Sequence, residues 1–256
     1  MYVLDNLSTI LYYTFAVIIS AFLLLLTLLY ASEQFRKLWF SWFYTIFCTQ
    51  FIKRGGNAIR AKLFEKLSRF HTEDQSKQLV ILEIGPARGN NFEFYPSNCR
   101  IIALDYNSYF EKYFLQNKSK FPNIICENFV NGMAEDMRQI QDNSVDVVVA
   151  TYVLCSVKDR TKTLQEIQRV LKKGGTYYFM EHVGYPHTCV KNIILFAIQL
   201  ILQPFWYAFF GGCHCHRQSW SHIERAGFQK LHLNYEYPTE MAFIARAHIW
   251  GTAITQ

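Results

Sequence analysis

Charged side chains are scarce at the start of this chain. No charged residue lies between Asp5 and Glu33, and charged residues make up only 18% of the 256 residues. The hydrophobic fraction of 51% excludes a disordered chain and is ample for a packed core. No segment recurs at a fixed period, which excludes a repeat array, and the length fits one domain with a modest extension.

The sequence also lacks a disulfide framework and the ligand spacing of a zinc finger. Its seven cysteines are an odd number scattered along the chain, which favours a reducing compartment. The net charge of +6 would suit nucleic acid, but no RNA-binding aromatic signature accompanies it. We therefore expect no nucleic-acid partner and interpret the clustered basic residues as flanking a membrane. They are Arg36, Lys37, Lys53, Arg54, Arg60 and Lys62.

The uncharged N-terminal segment is long enough to be a membrane helix. About 20 apolar residues cover the ~30 Å hydrocarbon core of a bilayer, and residues 7–31 form such a stretch. A cleaved signal peptide is the alternative, with Ala31 and Ser32 as a small-residue cleavage site, but the basic residues that open a signal peptide are missing. We predict a retained membrane anchor over residues 1–32. Because the basic residues follow it, the rest of the chain is expected in the cytosol.

Residues 33–74 combine aromatic and basic side chains and are predicted to form a juxtamembrane helical region. Aromatic rings of this kind favour the headgroup level of a bilayer. The aromatic residues are Trp39, Phe40, Trp42, Phe43, Tyr44, Phe47 and Phe51. A core helix of the soluble domain and a hairpin that dips into one leaflet are the alternatives.

Short β-branched runs alternate with helical stretches over residues 75–256. Strands that are apolar throughout belong in a parallel sheet covered on both faces. The predicted strands lie at 79–82, 101–104, 124–126, 145–150, 177–180 and 242–254, and the predicted helices at 109–117 and 160–171, the second ending at Lys172-Lys173-Gly174-Gly175. The pattern predicts a doubly wound α/β fold, in which ligands bind at the carboxyl ends of the strands.

The first strand runs into a glycine-containing loop, Glu83-Ile84-Gly85-Pro86-Ala87-Arg88-Gly89-Asn90. A dinucleotide fingerprint requires glycine at positions 85, 87 and 90, and Ala87 and Asn90 break it. The segment instead resembles the first motif of class I S-adenosylmethionine-dependent methyltransferases, acidic-x-Gly-x-Gly-x-Gly. A purely structural turn would also use Gly85 and Gly89.

Later segments strengthen this resemblance because they follow in the correct order. Asp105 ends the second strand, where a carboxylate can accept hydrogen bonds from ribose hydroxyls, although an Asp that caps the next helix is the alternative. The segments 132–136, 151–157 and 164–175 then match the later motifs. The resemblance implies S-adenosylmethionine as cofactor and a mostly parallel, seven-stranded, Rossmann-like sheet. It assigns the cofactor contacts to Glu83, Gly85, Ala87, Gly89, Asn90, Asp105, Tyr106, Asn107, Ala134, Glu135, Thr151 and Tyr152.

A narrower resemblance is carried by the segments 91–96, 135–137, 153–157, 179–183 and 217–220, together with Asp105 and Asn107. They resemble the methyltransferase-like family of membrane-anchored thiol S-methyltransferases of the endoplasmic reticulum and lipid droplets. This implies methyl transfer to small lipophilic alkyl thiols on the cytosolic face of that membrane.

The chain departs from this family in its first loop, where the family has Gly-Cys-Gly-Thr-Gly and this chain has alanine at 87 and arginine at 88. We expect Ala87 to intrude on the loop and Arg88 to project from it. Two alternatives therefore stay open: a methyltransferase for a lipid or other small hydrophobic acceptor, and a non-catalytic membrane- or droplet-associated protein.

Three residues after the fourth and fifth strands are expected on the acceptor side of the site. His182 is placed by topology to accept a proton, with a structural histidine as the alternative. Tyr152 and Cys155 are expected to line the acceptor pocket. A covalent role for Cys155 is disfavoured because direct methyl transfer needs no enzyme intermediate.

An apolar insert over residues 190–212 is too hydrophobic for an ordinary surface. Its individual apolar runs are too short to span a bilayer, so we expect an interfacial helix or a lid, with a buried core helix as the alternative. Cys213-His214-Cys215-His216 follows directly. Ligands so close along the chain cannot easily close a tetrahedron, so we expect no metal.

Overall fold

The computed structural model of the protein describes residues 2–68 and 78–256, with side chains described for 9–50, 55–68 and 78–256. The predicted boundary between residues 74 and 75 lies outside these ranges. The N-terminal part consists of helices α1 (Tyr2–Ala31), α2 (Glu33–Phe43) and α3 (Thr49–Ser68), with a π-helical turn, Tyr44–Cys48, between α2 and α3. Helix α1 ends before α2 begins because Ser32 is the N-cap residue of α2. The Oγ atom of Ser32 accepts a hydrogen bond from the backbone N–H of Phe35 at 3.2 Å.

The described residues form one seven-stranded sheet. Its strands are β1 (Val80–Ile84), β2 (Arg100–Asp105), β3 (Ile125–Asn131), β4 (Val145–Thr151), β5 (Leu171–His182), β6 (Lys230–Glu236) and β7 (His248–Ile254). They lie in the order β3-β2-β1-β4-β5-β7-β6. The first five are parallel, and β7 runs antiparallel to both β5 and β6. The predicted doubly wound, mostly parallel fold is confirmed.

Helices cover both faces of this sheet. The remaining helices are α4 (Glu111–Lys118), α5 (Arg160–Val170), α6 (Val190–Phe209) and α7 (Ser219–Arg225). One core cluster joins the α5 side chains Leu164 and Ile167 to Leu82 and Val148 of the strands. Because alternate residues of a strand face opposite sides, the neighbours of Leu82 and Val148 belong to a second cluster on the other face.

Helix α3 packs into that second cluster. Its apolar residues repeat at helical spacing, and Ile59 and Phe64 are fully buried against Ile81 and Ile101 of the sheet. The core of the domain therefore includes part of residues 33–74, which the sequence predicted to be juxtamembrane.

Two strand boundaries differ from the prediction. Helix α5 ends at Val170 and β5 begins at once, so Lys172 and Lys173 are strand residues rather than the last turn of a helix. Lys172 pairs with Asp146 at 2.7 Å, which fixes it beside β4. At the C-terminus the predicted strand begins only at His248, because residues 243–245 form a 3₁₀ turn.

Helix α6 contains both apolar runs of the insert, each of which is too short on its own to span a bilayer. It is continuous over 20 residues and contains Pro204. The described part of the chain has two helices long and apolar enough to cross a membrane, Thr9–Ala31 within α1 and Val190–Phe209. They meet where the Tyr30 hydroxyl donates to the Pro204 carbonyl at 2.6 Å.

Candidate active site

A cavity of about 650 Å³ opens at the carboxyl ends of the parallel strands. The end of β1 contributes Ile84, β2 contributes Asp105, β4 contributes Thr151 and β5 contributes His182. Strand β1 pairs with β2 on one side and β4 on the other, so the chain order reverses there. Ligands of doubly wound sheets bind at such a switch point.

The loop after β1 is tied to the tip of β2. The Gly85 N–H donates to the Leu104 carbonyl at 2.8 Å, and the Ala87 N–H donates to Oδ2 of Asp105 at 3.1 Å. Ala87 has φ +49°, in the left-handed region that disfavours residues with a Cβ. At Gly89, a Cβ would lie 2.2 Å from the Phe92 ring, so this position requires glycine.

Asp105 is 4% exposed and accepts two backbone hydrogen bonds, from Ala87 and, at 2.9 Å, from Asn107. Burial raises the pKa of Asp105 to about 6, and the two N–H donors partly oppose that rise. The carboxylate lines the cavity. It is therefore placed to accept hydroxyl donors of a bound nucleoside.

The Arg88 side chain turns away from the cavity. Its guanidinium donates to Oγ1 of Thr49 at 3.2 Å and to the Thr45 carbonyl at 3.4 Å, on the helical segment that covers the loop. The side chain therefore projects from the loop, as expected. Its direction leaves the space beside Gly85 and Ala87 open.

The structure brings most of the predicted cofactor residues to the cavity wall. Those that line it are Gly85, Ala87, Asn90, Asp105, Tyr106, Ala134, Glu135, Thr151 and Tyr152. Glu83, Gly89 and Asn107 lie behind this wall. Glu83 accepts a hydrogen bond from Asn91 at 2.8 Å beneath the loop, and Asn107 donates to the Lys37 carbonyl of α2 at 2.9 Å. These three residues support the wall.

The three residues predicted on the acceptor side also line the cavity. The Tyr152 ring stacks on His182 at 4.2 Å between ring centres, and its hydroxyl lies 3.1 Å from Nε2 of His248. Burial lowers the pKa of His182 well below its usual value, so its imidazole is neutral. Nδ1 of His182 lies 3.6 Å from Sγ of Cys213, while its buried Nε2 has no hydrogen-bond partner among the described residues.

Glu181 was not identified from the sequence as a site residue, although it supports the part of the cavity wall that contains Cys155. Its carboxylate accepts the backbone N–H groups of Val153 at 2.9 Å, Leu154 at 2.8 Å and Cys155 at 3.0 Å. It is fully buried, and desolvation raises its pKa to about 7 against the effect of these three donors. Glu181 therefore holds the turn that carries Cys155. The sequence feature that could have indicated Glu181 is an acidic residue near the end of an otherwise apolar strand.

Aromatic residues of α2, of α6 and of the position directly after α6 form the far wall of the cavity. Trp206 stacks on Phe210 at 3.8 Å, and Phe210 meets Phe43 edge to face at 5.8 Å. Phe40 lines the same wall. The predicted insert thus contributes side chains to the cavity wall.

Comparison with known proteins identifies the family. Residues 82–179 match the family model described as a methyltransferase domain. Human thiol S-methyltransferase TMT1A is 38% identical over 218 residues, which cover 85% of this chain and 86% of that protein. Rat thiol S-methyltransferase TMT1B is 38% identical over 179 residues, or 70% of this chain and 72% of that protein.

The chain belongs to the thiol S-methyltransferase family. A solved structure of the same fold is an S-adenosylmethionine-dependent methyltransferase of Thermotoga maritima, described as a possible histamine N-methyltransferase. It has 13% sequence identity and a TM-score of 0.56, covering 86% of this chain and 100% of that chain. The prediction of a methyltransferase enzyme with S-adenosylmethionine as its cofactor is confirmed.

Proposed function

We propose that the protein methylates small lipophilic alkyl thiols at the cytosolic face of the endoplasmic reticulum membrane, and also on lipid droplets. The observation that carries this proposal is a single cavity with a polar end at Asp105 and an apolar, aromatic end beside His182. Relatives that cover most of this chain are named thiol S-methyltransferases, which supports a thiol as the acceptor.

The polar end fits S-adenosylmethionine. Asp105 is positioned for the ribose hydroxyls, and Gly85 lines the cavity beside it. A Cβ at Gly85 would come within 2.9 Å of Val153, so a side chain has no room at this position. Ala134 and Glu135, in the segment after β3 that matches a later methyltransferase motif, line the same cavity. When bound, the cofactor supplies a methyl group activated by its sulfonium. The residues that border it align the acceptor and exclude water.

At the apolar end, His182 accepts the proton of the thiol. Its buried Nε2 lacks a hydrogen-bond partner among the described residues, so a thiol S–H can donate to it. The S–H proton becomes strongly acidic as the sulfur bonds to carbon, so a neutral imidazole of low basicity is sufficient. Tyr152 stacks on His182 and orients its ring, while Cys155 lines the pocket without forming a covalent intermediate.

The outer faces of α1 and α6 support a membrane location. On α6 the amide of Gln199 is buried and donates to the carbonyls of Val183 at 3.2 Å and Ile244 at 2.8 Å, whereas Ile201 is 71% exposed. A helix with its polar residues inward and its apolar residues outward favours a lipid environment. Residues 1–32 act as the anchor, and α2 connects it to the domain, whose core includes side chains of α3. Lipophilic acceptors reach the aromatic wall from the bilayer.

The test uses the full-length protein in lipid nanodiscs, with labelled S-adenosylmethionine and acceptors that share one alkyl chain but carry a thiol, an alcohol or an amine. We expect label only in the thioether product. His182→Ala is expected to lower kcat by about 10²-fold or more, as for loss of a proton acceptor, with unchanged cofactor affinity. Methylation of the alcohol or amine in preference to the thiol would contradict the proposal.

A further inference from the structure

Three soft metal ligands from separate parts of the chain meet at the apolar end of the cavity. Cys155 follows β4, His182 ends β5 and Cys213 follows α6. Their ligand atoms all lie within 4.8 Å of one another, and all three residues are buried. The two Sγ atoms are 3.4 Å apart, and Nδ1 of His182 is 3.6 Å from Sγ of Cys213.

These separations match the geometry of a tetrahedral metal site. Bond lengths of about 2.3 Å to sulfur and about 2.0–2.1 Å to imidazole nitrogen place two sulfur ligands about 3.8 Å apart, and sulfur and nitrogen about 3.6 Å apart. The distances around Cys213 fall close to both values. Small shifts of the side chains are enough to close the site on an ion.

The hydrogen bonding of the His182 ring also fits a metal ligand. Among the described residues, the buried Nδ1 of His182 contacts only the thiol sulfur of Cys213, which is a weak hydrogen-bond partner. Buried polar groups are normally paired, so an imidazole in this state is available to a ligand. A further thiol, Cys215, lies 3.9 Å from Cys213.

We propose that Cys155, His182 and Cys213 bind one thiophilic divalent metal ion of the zinc or cadmium class. On binding, the two thiols each release a proton to water and coordinate as thiolates, and His182 coordinates through Nδ1. The two thiolate charges balance the charge of the ion, so the buried centre is neutral and avoids the desolvation cost of an unpaired charge. Three protein ligands leave a fourth position open to the cavity.

This site differs from the one that the sequence suggested and that we discounted. The side chains of His214 and His216 contact Gln203 of α6, at 3.2 Å and 3.0 Å, and do not join Cys213. The ligands proposed here are distant along the chain, so local spacing could not indicate them.

A bound ion has a consequence that rests on the proposed function. Coordination through Nδ1 leaves the proton on Nε2, which can then no longer accept the proton of a thiol. The ion also occupies the space beside Cys155 and Cys213. We therefore expect occupancy of the site to inhibit methylation of the thiol.

The binding test is independent of activity. Full-length protein in detergent is titrated with Cd²⁺, and the ultraviolet absorption of cadmium–thiolate bonds is recorded for the wild type, Cys155→Ala, Cys213→Ala and the control Cys189→Ala. Cys189 is an exposed thiol outside the cluster. We expect one ion per chain in the wild type and the control. Either cluster variant should lose more than about 10²-fold in affinity, since even the outer partners of a metal site contribute 10–100-fold.

An unchanged affinity in both cluster variants would overturn the proposal. Should these variants fail to fold, alkylation of the wild-type protein decides the question, with the modified cysteines identified by peptide mass. Protection of Cys155 and Cys213 by Cd²⁺, with Cys189 still modified, supports the site, and equal modification with and without Cd²⁺ overturns it. Inhibition of methyl transfer is measured in a separate assay. If the proposed function is wrong, the cadmium-binding result still tests the metal site.

Discussion

The backbone N–H of Ala87 donates to Oδ2 of Asp105 across 3.1 Å, joining the loop after β1 to the tip of β2. This contact holds Ala87 in a left-handed conformation while the carboxylate remains on the cavity wall. The same side chain thus shapes the loop and faces the space assigned to the ribose. Changes at either residue should affect both the fold of the loop and the affinity for the cofactor.

Replacing Asp105 with asparagine removes the charge while keeping the size of the side chain. We expect the dissociation constant for S-adenosylmethionine to rise about 10–100-fold, because hydrogen bonds to a charged acceptor contribute about 1.5–3 kcal/mol. Calorimetry on the full-length protein measures this change, with circular dichroism to confirm the fold. Asp142→Asn, at an exposed aspartate before β4, is the matched control. Equal affinities for the two variants would rule out the proposed role.

Cofactor affinity should also depend on pH through Asp105. Its pKa in the cofactor-free protein is about 6, raised by burial. Ribose hydroxyls donate to the ionised carboxylate, so affinity is full above this pKa and falls as the pH drops through it. We expect the dissociation constant to increase about tenfold per pH unit below 6, as for binding to one deprotonated form. The variant Asp105→Asn should show no such dependence between pH 5 and 7, and a dependence equal to that of the wild type would contradict the assignment.

Ala87→Gly should stabilise the protein. The left-handed conformation costs an L-residue about 1–2 kcal/mol, and glycine adds about 0.5–1 kcal/mol of unfolded-chain entropy, so the free energy of unfolding should increase by about 0.5–1 kcal/mol. Ala103→Gly, at a buried position in β2, should lower it instead. Denaturant unfolding in detergent measures both. A loss of stability in Ala87→Gly would show that the loop is not strained.

The two sides of α6 should respond oppositely to changes of polarity. Gln199→Leu leaves the N–H of Tyr185 and the carbonyls of Val183 and Ile244 without their partner, which should lower the free energy of unfolding by about 2 kcal/mol or more. Ile201→Ser changes an exposed residue and should alter stability by less than about 0.5 kcal/mol. A spin label attached at Ile201→Cys, in protein reconstituted into nanodiscs, should be relaxed by oxygen dissolved in the lipid and not by a water-soluble nickel chelate. Stronger relaxation by the nickel chelate would argue against contact between α6 and lipid.

The sequence predicted the parts of the site that depend on chain order. Asp105 and Thr151 follow apolar strand runs, and parallel strands bring such ends to one edge of a sheet. Contacts between segments that are distant along the chain leave no pattern in the local sequence, so the sequence did not predict them. The direction of Arg88 depends on the docking of α3 and the turn before it, and the approach of Cys213 to Cys155 depends on how α6 returns to the sheet.

The packing of α3 on the sheet was not predicted either, because other features of the same segment indicated a membrane surface. Its basic residues and the aromatic residues before it suggested a membrane surface, whereas Ile59 and Phe64 pack on the sheet. For α6, Gln203 and Pro204 divided the apolar sequence into two runs. In the structure both runs belong to one helix, in which the buried amide of Gln203 donates to the Cys213 carbonyl at 2.9 Å.

The most direct test of the account is binding of S-adenosylmethionine to the full-length wild-type protein, measured by calorimetry at neutral pH. A cavity bounded by the loop of Ala87 and by Asp105 predicts one saturable site per chain, weakened at least tenfold in Asp105→Asn. An absence of binding at millimolar cofactor, by protein whose fold is intact, would contradict it.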